Sequence, residues 1–250
     1  MNQFFLVSLL FCLIASNNLF SCNKDEEDEK TDGTGSSVNI NRDLVLHYTF
    51  DEGTSSTSVQ TVTDHSSKHV NGVVNGTAEF VSDTPNGNGY ALKLRKNDYV
   101  NIPTYVINDS TNVSVVMWVK DFGQGSLFRS LNGNNLYTPH VSINSSDQLV
   151  YLCADDYSSN YAYFSTNMAH YQTGTWHQIA VTASRSNKKN CLYIDGVLFD
   201  TKSVGQAKCK GETMQIGYNA DPMLVDNVRV YARCLNANEV KSIYDNEKKK

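Results

Sequence analysis

Residues 176–231 constrain this chain most, because three short runs there alternate in the way a sheet demands. In Trp176-His-Gln-Ile-Ala-Val-Thr182, Ile179 and Val181 face one way and Gln178, Ala180 and Thr182 the other, the period-2 pattern of a half-buried strand. Asp195-Gly196, set between Leu192-Tyr-Ile194 and Val197-Leu-Phe199, predicts a two-residue hairpin, since a type I′ turn takes positive φ at both central positions. Val225-Asp-Asn-Val-Arg-Val-Tyr231 supplies the third run. Upstream the pattern continues as short apolar stretches broken by Asn, Gly, Ser and Asp, and no segment before residue 235 keeps a helical period. Strands are expected near 44–50, 78–82, 90–95, 99–102, 113–120, 125–130, 139–144, 149–154, 161–166, 176–183, 190–195, 197–203, 213–218 and 224–231. So many short strands imply two packed antiparallel sheets. Leu235–Tyr244 is the helix: Asn236 caps it, Glu239 reaches back, and Val240, Ile243 and Tyr244 share a face.

Several further motifs precede these in a consistent order: Leu44-Val-Leu-His-Tyr-Thr-Phe50 with Asp51-Glu-Gly53, Asp64-His-Ser66 with Gly72, Gly89–Leu94, Tyr99–Ile102 and Val113–Lys120. Together with the terminal strands they resemble the LamG domain of the concanavalin A-like family over nearly all of residues 44–244. The resemblance implies an all-β fold, a concanavalin A-like jelly-roll β-sandwich of two antiparallel sheets with a short C-terminal helix. It also implies a chain that holds a ligand rather than transforming one.

The N-terminus is organised differently. Met1 to Ser21 carries no charged side chain, and its apolar centre, Phe4–Ala15, matches the middle of a secretory signal. It is short for a membrane span, which wants roughly 20 predominantly apolar residues. Leu19-Phe20-Ser21-Cys22 resembles a bacterial lipobox, which implies that Cys22 is lipidated, although Met1-Asn2-Gln3 lacks the usual Lys or Arg. An ordinary cleaved signal would instead leave Cys22 a thiol. Asp25-Glu-Glu-Asp-Glu29 resembles the acidic tract of surface-exported Bacteroidetes lipoproteins, and Thr31–Ser37 continues as a Gly/Ser-type spacer. The expected division is a signal at 1–21, a flexible acidic linker at 22–43 and a LamG-like domain at 44–250, on an outer-membrane lipoprotein that meets the membrane only through its lipid. Residues 23–30 supply three of the five net negative charges, so the remainder is close to neutral, which argues against nucleic acid as a partner. Cys153, Cys191, Cys209 and Cys234 permit two disulfides in an oxidising compartment, or stay as buried thiols.

The chemistry-bearing residues favour binding. Glycosidases need two carboxylates flanking the scissile bond, and the E-x-D-x-x-E strand of jelly-roll hydrolases has no counterpart in the sequence. Asp155-Asp156 comes nearest, but adjacent residues of an extended chain point oppositely. No enzyme activity is expected, with a degenerate hydrolase-like domain the remaining catalytic reading. His65 and His69 have zinc-like spacing in a loop context. The resemblance implies a structural calcium instead, held by Asp51 after the first strand and by Asp226; otherwise Asp226, inside an apolar run, pairs with Arg229. Glycan recognition uses aromatic platforms flanked by amides and carboxylates, and residues 137–163 are rich in both: Tyr137, His140, Tyr151, Asp155, Tyr161 and Tyr163 among them. Tyr161 and Tyr163 share a strand face, and Tyr193 and Trp118 would extend the platform, although the resemblance equally implies a core position for Trp118. The expected partner is therefore a glycan or polysaccharide, with a protein partner as the rival.

Overall fold

The computed structural model describes residues 38–53, 60–107, 112–133, 135–155, 158–164, 166–203 and 211–249, excluding the side chains of 152–155 and 158–161. The strands are β1 (Leu44–Tyr48), β2 (Thr61–Val62), β3 (Gly72–Asn75), β4 (Glu79–Val81), β5 (Ala91–Leu94), β6 (Tyr99–Ile102), β7 (Asn112–Lys120) and β8 (Gly125–Asn132). They continue as β9 (Asn135–Ile143), β10 (Leu149–Asp155), β11 (Ser158–Tyr163), β12 (His177–Ser184), β13 (Lys189–Ile194), β14 (Val197–Ser203), β15 (Thr213–Ile216) and β16 (Met223–Tyr231), and helix α1 (Ala237–Glu247) follows. Every recorded pairing is antiparallel.

Sheet A runs β14-β13-β12-β7-β16-β5-β4, with β1 also on β16; sheet B runs β11-β10-β9-β8-β15-β6-β3-β2. The alternation expected of 176–182 is realised, with Ile179 and Val181 in the core between the sheets. Asp195 and Gly196 take φ of 53° and 76°, the mirror-image turn that lets β13 fold back as β14. One core fills the space between the sheets, with Tyr48, Met117, Val181, Tyr151 and Ile216 among its members. A second, smaller one lies on the outer face of sheet A, where Val116, Ala180, Tyr193 and Tyr231 are covered by Leu235, Val240 and Ile243. Asn236 accepts from the Glu239 amide at 3.0 Å while the Glu239 carboxylate accepts from the Asn236 amide at 2.9 Å, so the capping box starts α1 where the sequence placed it. Sheet A is thus buried on both faces, and sheet B on one.

The Asp64-His-Ser66 motif is an architectural hub. The buried Asp64 carboxylate accepts from the amides of His47, Ser66 and Val70 and from the Ser66 hydroxyl, all at 2.8–2.9 Å, tying the loop to β1. Cys191 and Cys234 are buried as thiols, while Cys153 and Cys209 fall outside the described side chains. Among the described residues, no helix is long and apolar enough to cross a membrane.

Candidate functional site

The outer face of sheet B carries a continuous row of polar side chains drawn from four strands, with Val73 of β3 at its end. Cα pairing sets Val73 (β3) against Asn101 (β6), Asn101 against Gln215 (β15), Gln215 against Arg129 (β8), and Arg129 against His140 (β9). Each follows from period 2: Val100 and Ile102, Met214 and Ile216, and Val141 point into the core, so the residue beside or between them points out. Arg129 Nε donates to Gln215 Oε1 at 2.7 Å, and Gln215 Nε2 donates to Asn101 Oδ1 at 3.3 Å. The Arg129 guanidinium lies 3.2 Å from the centroid of the Tyr218 ring, which meets Tyr99 edge-on at 5.1 Å. Ser126 Oγ and His140 Nε2 are 3.0 Å apart. Burial, and then the Arg129 charge, push the His140 pKa down to about 4, so its imidazole is neutral at neutral pH.

A second row, Ser126–Ser142–Val150–Tyr163, borders the first, and Tyr163 is 51% exposed at its end. Among the described side chains expected to form a platform, Tyr163 alone has its ring in solvent. Tyr151 is 1% exposed because its strand alternates with Val150 outward, which turns Tyr151 into the core between the sheets. Tyr193 is fully buried beneath α1. Trp118 is buried too, stacked on Tyr244 at 5.4 Å. Tyr151 and Tyr193 are therefore corrected from platform to core, and Trp118 takes the core position that the resemblance also implied. Asp155 and Tyr161 lie in β10 and β11, but their side chains fall outside the description.

The other candidate centre lies at the edge of α1. Asp226 and Arg229, three apart, would face opposite sides of a regular strand. A bulge between them, with Asn227 at φ 45°, turns both to the outer face of sheet A. Arg229 does not neutralise Asp226: its Nε donates to Glu247 Oε1 at 2.7 Å instead. Asp226, 2% exposed, accepts at Oδ1 from the Asn227 amide at 2.7 Å. Burial pushes its pKa up to about 8, against the lowering effect of that bond, and Asp51 and Glu247 raise it further. Asp51 Oδ1 accepts from the Tyr90 amide at 2.9 Å, a position open only because residue 89 is glycine: a Cβ there would stand 1.9 Å from that oxygen. A buried carboxyl without a cationic partner among the described residues, close to a second acid, has the donor chemistry for a hard cation. Two carboxylates are all the acidic side chains the two positions supply, and the described residues hold no cluster of three or more His, Cys, Asp or Glu suited to a metal. His65 and His69 remain in their loop, both exposed.

One grouping went unseen in the sequence. Thr175 Oγ1 is 2.8 Å from His177 Nε2, and His177 Nδ1 is 2.8 Å from Asp195 Oδ2, the connectivity of a hydroxyl–imidazole–carboxylate relay. Asp195 Oδ1 also accepts from the Gln178 amide at 2.9 Å, so the same contacts fasten the β13–β14 turn to the start of β12.

The comparisons agree with this architecture. Residues 94–241, more than half of the chain, match the family model for the concanavalin A-like lectin/glucanases superfamily, laminin G type, and the chain belongs to that family. No curated protein sequence matches it significantly. Among solved structures it resembles the binding domain of botulinum neurotoxin DC in complex with rat synaptotagmin II, at 17% identity and a TM-score of 0.65, covering 84% of this chain and 52% of that one. The same toxin domain in complex with SialylT gives a TM-score of 0.64 at 17% identity, with 84% and 52% covered. The binding domain of Paraclostridial mosquitocidal protein 1 gives 0.63 at 16% identity, with 83% and 53% covered. The chain spans about half the length of these structures, and the likeness is one of fold.

Proposed function

We propose that this chain is a non-catalytic, surface-anchored binding module that holds glycan on the outer face of sheet B. The observation that carries the reading is the row Asn101–Gln215–Arg129–His140 with Tyr99 and Tyr218 beside it and Tyr163 at the end of the neighbouring row, on the face of sheet B turned away from the core. In-plane amides and hydroxyls beside aromatic rings are what a pyranose requires. The toxin binding domain solved with SialylT lends the reading support from a shared fold. Asp51 and Asp226 would hold a structural calcium, whose charge would offset the burial of Asp226 and leave the sheet B face untouched.

A glycan array probed with the full chain should give binders and no hydrolysis products. Tyr163→Ala should weaken the best binder about tenfold, on the scale of about 1–3 kcal/mol measured for stacked bases, with an unchanged melting temperature because the ring is exposed. An array without binders would sink the reading in favour of a protein partner. The observation favouring that rival is β14, the edge strand of sheet A, where Val197 and Phe199 are 67% and 44% exposed.

Anchoring rests on the sequence alone, since Cys22 lies outside the described residues. Cys22→Ala should move the protein from the membrane fraction to the soluble one; retention in the membrane fraction would reject a lipid on Cys22.

A further inference from the structure

The charge on Arg129 is the unusual feature of the sheet B face. A guanidinium at the centre of a sheet ordinarily meets a carboxylate. Among the described residues, none forms an ion pair with Arg129; its partners are the neutral amide of Gln215 and the ring of Tyr218. The side chain is also held in one orientation. Nε is engaged by Gln215, the planar group lies on Tyr218, and Tyr218 is braced by Tyr99. With Nε occupied, the two terminal nitrogens present the remaining donors side by side, which matches the two coplanar oxygens of a carboxylate. Beside it, the neutral His140 is 7% exposed, with its Nε2 3.0 Å from Ser126 Oγ.

We infer that the site selects acidic glycans, with Arg129 gripping the carboxylate of a uronic or sialic acid residue while Gln215, Asn101 and His140 border it. This rests on the reading of sheet B as a glycan face and names the class of sugar. Hydrogen bonds to a charged group are about twice as strong as neutral ones, so the acid should bind about tenfold or more tighter than the same sugar without its charge.

Titration calorimetry of the full chain separates the two claims. The probes are a short oligogalacturonate and sialyllactose, each beside its carboxyl-reduced counterpart, and sulfated lactose. We expect at least one carboxylated sugar to bind about tenfold tighter than its reduced form. Arg129→Gln should abolish that preference while keeping weak binding of the reduced sugar, and Arg129→Lys should restore part of it, without the full gain because an ammonium lacks the planar fork. Equal affinity for acid and reduced forms would overturn the inference and leave the glycan reading intact. So would tighter binding of sulfated lactose than of either carboxylated sugar, or an equal loss of acidic and neutral binding in a folded Arg129→Gln variant. Failure of every sugar to bind would overturn both claims.

Discussion

Replacing Glu247 with Ala is expected to destabilise the protein by about 3–5 kcal/mol, the cost of leaving a buried charge without its partner. Glu247, at the last turn of α1, accepts from Arg229 Nε at 2.7 Å, Trp118 Nε1 at 2.8 Å and Gln178 Nε2 at 3.3 Å. These donors come from three adjacent strands of sheet A, so one carboxylate fastens the helix to the sheet. Burial pushes its pKa up, and Arg229, Trp118 and Gln178 pull it back. Arg229 is itself only 7% exposed, so loss of the carboxylate leaves a buried charge unpaired. The control is Lys241→Ala, which removes the exposed pair with Asp245 one helical turn apart and should cost less than about 1 kcal/mol. Urea unfolding measures both; a Glu247→Ala midpoint within error of the Lys241→Ala midpoint would show that α1 is held by Val240 and Ile243 alone.

The second large effect concerns Asp226. If Asp51 and Asp226 hold calcium as proposed, an ion about a thousandfold above its Kd would contribute about 4 kcal/mol, and chelation should then lower the melting temperature by about 10 °C for a chain of this size. The chelated protein should then show a pH dependence of definite sign. The folded carboxyl keeps its proton up to about pH 8, whereas its ordinary value is 3.8, so its contribution is fullest below pH 3.8 and is lost as pH rises through 8. The slope is at most about 1.4 kcal/mol per pH unit. Asp226→Asn should remove that slope and the response to chelator together. A difference between wild type and variant that stays flat from pH 5 to pH 8 in chelator would show that Asp226 is already neutralised by other means.

How much of this was legible in the sequence differs between fold and site. Strand alternation, the Asp195-Gly196 turn and the Asn236–Glu239 capping box are local, and the structure follows them within a few residues. Thr61–Val62 and Gly72–Asn75 escaped because two to four residues are too few to establish a period. Tyr193 misled because α1 covers the outer face of sheet A, leaving apolar residues on both sides of β13, where alternation no longer tells inside from outside. Val150 and Tyr151 posed the same ambiguity, since both are apolar enough for either face. The Arg129 row was hidden for another reason. Its members are isolated polar residues beside core positions, as in Val100-Asn-Ile102 and Met214-Gln-Ile216, a visible signal in each strand. That they meet depends on β15 inserting between β6 and β8, a pairing across more than 80 residues of sequence in the case of Arg129 and Gln215. The Asp226 bulge is likewise a matter of register with β7 and leaves no trace in composition.

The second core also fixes where the chain enters the sandwich. The Tyr231 hydroxyl donates to the Ile40 carbonyl at 2.9 Å and Arg233 Nε donates to the Arg42 carbonyl at 3.0 Å, so the first described residues are pinned to the same side of the sandwich as α1. A tether arriving from upstream of residue 38 therefore reaches the sandwich at its sheet A side. The Arg129 face lies on the far side of the sandwich from that entry point, so a tether joining there would leave it clear at the point of attachment.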